Sequence, residues 1–346
     1  MPDAKLVTTP PSTKQCKHGM KHLKEKLEAR QVGTYFIAIA LGALTGSVFP
    51  QSAAFEAAIN PALVLMLFAT FMQVPLFAIR VALRNTSFMA ALVVTNFVLL
   101  PLIVAGLISF APDEPMLRFA ILLVLLAPCI DYVITFTHLG GGDARQLLAM
   151  TPVLLALQML LLPLYLGLLL GADAGSLIQA GPFVQAFIWL IALPLLAAGL
   201  LQTASKKNAR TAHGVEAIGL LPVPATALVL FIVMAAVMPQ IDQARQAALQ
   251  AAPVYIAFSL IAPCLGWLVS RTLKLEAASA RAVSFSASYR NSLVILPLAF
   301  AIPGGTPLIP AVILTQTITE LLFLPVYLKW IPNLPQRPQP ATVPPR

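Results

Sequence analysis

Ten apolar runs fill most of this 346-residue chain, at residues 33–51, 57–79, 87–110, 116–138, 146–171, 181–203, 214–238, 249–270, 278–302 and 308–331. Each is long enough to cross the hydrocarbon core of a bilayer. At that depth every backbone polar group must find its partner inside the protein, so such runs fold as helices. Hydrophobic residues make up 59% of the chain and charged ones 10%, a balance that no soluble fold of this size needs. The sequence therefore reads as an all-α polytopic membrane protein with ten transmembrane helices, and the lipid bilayer is its first partner.

Orientation follows from the basic residues. Of the 22 lysines and arginines, 19 fall in the two tails and in alternate connections, among them Arg80, Arg84, Arg145, Lys206, Arg271 and Arg281. Only Arg118 and Arg245 lie on the other side, and Arg290 falls within a segment. Both termini are expected in the cytoplasm, with the chain multi-pass in an inner or plasma membrane. The net charge of +9 sits in tails and short loops, so it is no nucleic-acid signature. Residues 1–32 form a basic tail without the apolar core of a signal peptide, and residues 332–346 a proline-rich tail. In the first tail, Cys16, His18 and His22 have metal-ligand spacing if helical, against the simpler reading of a solvated or membrane-surface basic segment.

An internal repeat underlies the runs. Gln158-Met159-Leu160-Leu161-Leu162-Pro163-Leu164-Tyr165-Leu166 parallels Glu320-Leu321-Leu322-Phe323-Leu324-Pro325-Val326-Tyr327-Leu328 at an offset of 162. Pro101 and Pro263 share that offset, and Pro61 and Pro75 match Pro224 and Pro239 at 163 and 164. This favours duplication of a five-helix unit, residues 33–171 and 172–331. Five is odd, so the second copy enters the membrane inverted, an architecture that secondary transporters use with the solute near the midplane.

Two runs carry features foreign to a passive anchor. Pro128, Cys129 and Asp131 interrupt the fourth, where a proline breaks the helix and a carboxylate is costly in lipid. Ser288, Arg290 and Asn291 interrupt the ninth, with Pro297 beyond. Adding 162 to Pro128 gives Arg290, and to Cys129 gives Asn291. Helices 4 and 9 are thus expected to be broken and to cross near the bilayer centre. Intramembrane charge rests with Asp131, Arg290 and Glu320. One carboxylate is expected to pair with Arg290, and the other to exchange a proton or hold a cation, with Gln158 as the repeat partner of Glu320. Arg290 has a second reading, as the contact of an anionic solute. The neutral oxygens of Ser288, Asn291, Thr135 and Thr137 suit either a sodium ion or the freed backbone. A Cys129 thiol beside the break suits a thiophilic solute, and equally a small buried apolar residue. Gly140-Gly141-Gly142-Asp143 lacks the lysine of a phosphate loop. No nucleophile–base or zinc spacing points to an enzyme, and no cofactor is expected beyond a coupling H+ or Na+.

Ala127-Pro128-Cys129 resembles the proline-cysteine motif of arsenite permeases. Thr319-Glu320-Leu321 leading to Pro325 is similar to the glutamate-bearing last helix of that branch, and Ser288 and Asn291 to its second break. On these residues the chain resembles the bile acid/sodium symporter and arsenite-transporter superfamily over residues 33–331. The resemblance implies ten helices, five plus five inverted, with site residues Cys129, Asn291 and Glu320. It departs where Arg290 replaces the first of two asparagines, where an Asn-Asp pair is absent between Arg145 and Gly171, and in Asp131. Two functions follow as expectations. The first is efflux of arsenite, with antimonite, against protons; the alternative is sodium-coupled symport of an organic anion.

Overall fold

The computed structural model describes residues 13–73, 85–130, 132–171, 185, 187–206, 209–300, 302, 304, 305 and 307–335. In chain order its helices are α1 (Thr13–Val48), α2 (Glu56–Gln73), α3 (Thr86–Val94), α4 (Leu100–Leu107), α5 (Pro115–Leu125), α6 (Val133–Leu139) and α7 (Ala144–Leu170). Then come α8 (Leu193–Ser205), α9 (Ala209–Ile218), α10 (Pro222–Val237), α11 (Ile241–Thr272), α12 (Ala277–Ser288), α13 (Ser292–Phe300) and α14 (Leu308–Trp330). Among the described residues the only extended pairing is one isolated antiparallel bridge, Pro128 with Arg290.

Six helical stretches are long and apolar enough to span a membrane: Lys26–Val48, Pro50–Gln73, Thr86–Phe110, Ala144–Leu170, Ala244–Thr272 and Leu308–Asn333. They fall on the first, second, third, fifth, eighth and tenth apolar runs. The remaining runs appear as shorter pieces, each for its own reason. The fourth and ninth are split at their breaks into α5 and α6, and α12 and α13. The seventh starts at Pro222 rather than near 214, because a proline fits the first turn of a helix but not its interior. The sixth lies partly outside the described residues. The basic N-terminal segment is no separate tail from Thr13 onward, since α1 runs unbroken into the first span.

Burial is inverted relative to a soluble protein. On α7, Leu160, Leu164 and Leu168 share one exposed stripe while Gln158, Leu162 and Leu166 are buried. The exposed leucines meet lipid, and the fully buried list includes Arg290, Asn291 and Glu320. The chain is a multi-pass membrane protein. Helices α1, α2, α8 and α10 pack as one layer, and α3 to α7 with α11 to α14 as a second body. The first layer is tight where glycine allows it. A Cβ at Gly42 would lie 2.6 Å from the Phe231 carbonyl oxygen, and one at Gly46 would lie 2.5 Å from Met238 Cβ.

Prolines inside the helices free carbonyls four residues earlier, and side chains from other helices close them. Pro101 frees Phe97 O, where the chain widens into a π-turn over Thr95–Leu99, and Tyr165 Oη donates to it. Pro263 frees Ser259 O, which accepts from Tyr327 Oη at 2.7 Å. Donor, acceptor and proline are each 162 residues apart in the two cases. Likewise Ser52 Oγ donates to Ala235 O at 2.9 Å, four residues before Pro239.

One face of the bundle gathers the Gly140–Asp143 turn, the start of α12 and the end of α14. Arg281 donates to Gly141 O and to Pro332 O, both at 3.2 Å, and Asp143 N donates to Ala278 O at 2.9 Å. Basic residues placed on one side by the count above therefore share a face.

Candidate functional site

The two broken helices meet at the bridge. Proline at 128 ends α5, and it also biases Ala127 away from helical backbone. The chain leaves extended, and Asn291 N donates to Ala127 O at 2.8 Å while Cys129 N donates to Tyr289 O at 3.1 Å. These bonds flank the Pro128–Arg290 pair, the two positions that the repeat offset equates.

The second break has no proline at its centre, and its polar accounting explains how it holds. In a continuous helix Arg290 N would donate to Ser286 O, and Asn291 N to Ala287 O. Instead Arg290 N donates to Glu320 Oε2 at 2.8 Å, and Asn291 N to Ala127 O. The two carbonyls left over accept from Arg290 Nη2, at 2.9 Å from Ser286 O and 2.8 Å from Ala287 O. A cation at a helix C-terminus is also favoured by the helix dipole.

Glu320 on α14 is the acceptor hub of the crossover. Its Oε1 accepts from Tyr132 Oη at 2.7 Å, and its Oε2 from Gln316 Nε2 at 2.7 Å as well as from Arg290 N. Gln316 Oε1 in turn accepts from Ser292 Oγ. On the other side, Gln158 Oε1 accepts from Asn291 Nδ2 at 3.1 Å. The repeat partners Gln158 and Glu320 thus each fasten one part of the second break. Asn291 Oδ1 and Gln158 Nε2 are buried and have no hydrogen-bond partner among the described residues.

An Arg290–carboxylate ion pair is not what the geometry shows. Glu320 meets the backbone N–H of Arg290, while the guanidinium faces neutral oxygens, including Asn96 Oδ1 at 2.9 Å and Leu125 O at 3.4 Å. Asp131 lies outside the described residues, as do Arg80 and Arg84. The Cys129 side chain is wholly buried in the crossover. Ser288 Oγ turns back to Ser284 O at 2.7 Å, satisfying its own helix. Pro297 falls within α13 and Cys16, His18 and His22 within α1; their side chains lie outside the description. Among the described residues no cluster of histidine, cysteine and carboxylate could hold a metal ion.

A polar crevice runs between the two bodies, from α1, α2 and α10 on one side to α6 on the other. Glu28, Gln31, Tyr35, Thr70, Gln73, Tyr132, Thr135 and Thr226 line it. The space open to water is about 30 Å³, enough for one or two water molecules and too small for an organic solute. Gln31 is buried, and its Nε2 has no hydrogen-bond partner among the described residues. Tyr132 belongs to both places: it lines the crevice, and its hydroxyl holds Glu320.

Thr135 was legible as a candidate; Tyr132, Gln31, Gln73, Asn96 and Gln316 were not. Counting ionisable residues passes over amides and phenols, and placing 1–32 in a tail removed Gln31 from the bundle. The Gln316–Glu320 spacing of four, which puts both on one helix face, was the available signal.

No curated protein matches the chain. The model of the Sodium Bile acid symporter family matches residues 60–243. The match takes in Pro128, Cys129 and Gln158 and ends before Arg290, Asn291 and Glu320, so the family signal and the second half of the crossover come from different parts of the sequence. With more than half its length matched, this chain belongs to the sodium bile acid symporter family, a family of membrane transporters.

Proposed function

We propose that this protein is a sodium-coupled symporter of a small organic anion, working by alternating access of the crevice to the two sides of the membrane. One observation carries the reading: the crevice offers an unpartnered buried donor, Gln31 Nε2, and shares Tyr132 with the Glu320 hub. A solute oxygen arriving at Gln31 and the neighbouring hydroxyls satisfies a donor that is costly to leave unpaired. Any shift of Tyr132 reaches the crossover through Glu320. The cation partner is Asn291 Oδ1, a buried acceptor with nothing to accept, beside broken helix ends of the kind that hold sodium in transporters.

The family name supports the solute class. Support for two inverted five-helix halves comes from the tyrosine–proline device repeated at 162 residues and from Pro128 facing Arg290. The basic-residue count puts the Gly140–Asp143 face, and both termini, in the cytoplasm of a cell bounded by this inner or plasma membrane.

Arsenite efflux against protons is the second reading, and it rests on Cys129 at the crossover. The thiol is wholly buried and does not line the crevice, which ranks it behind the organic anion. Purified protein in proteoliposomes separates the two. Taurocholate and smaller carboxylates are offered under a sodium gradient or a choline control, and arsenite under a proton gradient. Saturable sodium-dependent anion uptake, lost in Glu320→Gln and kept in Cys129→Ser, supports the first reading. Proton-driven arsenite transport lost in Cys129→Ser replaces it with the second.

A further inference from the structure

Arg290 is fully buried in a membrane protein, where a charge needs strong compensation. Its compensation among the described residues is unusual, because every hydrogen-bond acceptor is neutral. Nη2 alone has three oxygens within 2.9 Å: Asn96 Oδ1 from α3's continuation, and Ser286 O and Ala287 O from the open end of α12. An amino nitrogen of guanidinium carries two hydrogens, so acceptors outnumber donors at this atom. Leu125 O lies 3.4 Å from Nη1, and the Phe258 ring faces Cζ at 5.2 Å. Capping two carbonyls explains Ser286 and Ala287. It does not explain why a third oxygen, from another helix, converges on the same nitrogen, nor why Asn96 is itself held in place by donating to Ser286 Oγ and Leu92 O, both at 3.1 Å.

Convergent neutral oxygens at a helix C-terminal end are what a monovalent cation requires. We infer that Asn96 Oδ1, Ser286 O and Ala287 O form a monovalent-cation site that the chain fills permanently with its own Arg290. The tethered charge balances Glu320 on the far side of the bridge without an ion from solution, so this protein needs one coupling ion fewer than a version of itself with that site empty. The inference deepens the transport reading and rests on it for the coupling consequence. The cage itself stands on geometry alone.

The test removes the tether in the full-length protein. Arg290→Ala is purified and its melting temperature followed while guanidinium, sodium or choline chloride is raised through the millimolar range. Guanidinium or sodium, but not choline, is expected to raise the melting temperature of the variant by about 2 °C or more, and wild type is expected not to respond. In proteoliposomes the same cation restores uptake, and the sodium dependence becomes steeper than wild type if sodium fills the cage. A folded variant indifferent to all small cations overturns the inference. Should Arg290→Ala not be recovered, Arg290→Lys and Arg290→Met decide it: lysine keeps a cation in the cage and is expected to melt above methionine, and equal melting overturns it. Melting does not require a known solute, so absent uptake by wild type would remove the transport reading and leave the cage to be judged separately.

Discussion

At the scale of single residues, chemistry that is costly in lipid was visible in the sequence, and chemistry that is cheap was not. Arg290, Glu320 and the Pro128 break stood out because charge and broken backbone are rare inside a membrane. Their roles did not stand out, since an arginine's partners depend on which neutral oxygens the fold brings near. Tyr132 was invisible for the opposite reason, a phenol being ordinary in an apolar helix. It is nevertheless the residue that joins crevice and crossover. Tyr132→Phe removes one of three donors to Glu320, a hydrogen bond to a charged group and worth about 1.5–3 kcal/mol. The variant is expected to insert normally, melt lower, and lose sodium dependence of uptake more than it loses apparent solute affinity. Unchanged sodium dependence would detach the crevice from Glu320. Gln31→Leu makes the complementary case: apparent affinity for the anion is expected to fall about tenfold, with the sodium dependence intact.

At the scale of elements, the repeat was legible because proline positions survive as a pattern in the sequence. What those prolines do was not, because the tyrosine that closes each freed carbonyl comes from a helix 68 residues away. The pair gives a test with an internal control. Tyr165→Phe leaves Phe97 O without its donor and is expected to destabilise the protein by about 1–3 kcal/mol. Pro101→Ala restores a backbone N–H that can serve the same carbonyl, so the double variant is expected to lose less than Tyr165→Phe alone. Thermal melts of the four proteins complete the cycle. Equal losses with and without Pro101 would mean that the tyrosine acts through packing. The seventh run shows the limit of apolar length as a guide, since α10 begins at Pro222 although the apolar character starts earlier. Packing of α10 against α1 depends on Gly42, where a side chain would meet the Phe231 carbonyl. Gly42→Leu is expected to cost several-fold in recovered folded protein, while Gly33→Leu, with nothing within 4 Å of its Cβ position, is expected to be neutral.

At the scale of the whole molecule, the proposed cycle requires the two bodies to move against each other, and the crevice is where that motion must register. Apolar runs place helices in a membrane, but they do not say which helices travel together, and the division into two bodies appears only in packing. Gln31 belongs to one body and Thr135 to the other, and both line the crevice. With Cys16 and Cys264 replaced by serine, Gln31→Cys and Thr135→Cys can be joined by a short cleavable bis-thiol reagent, Cys129 being buried in the crossover. Joining them fixes the crevice at its present narrow width. Uptake is then expected to stop and to return when the linker is cleaved, while each single cysteine treated alike keeps its activity. The same linker placed within one body, between Gln31→Cys and Thr226→Cys, is expected to leave transport running, because α1 and α10 already pack as a unit. Arrest by the cross-body link alone identifies relative motion of the bodies as the transport step. Arrest by both links would mean that narrowing the crevice blocks the solute without any such motion, and activity with both would place the pathway elsewhere.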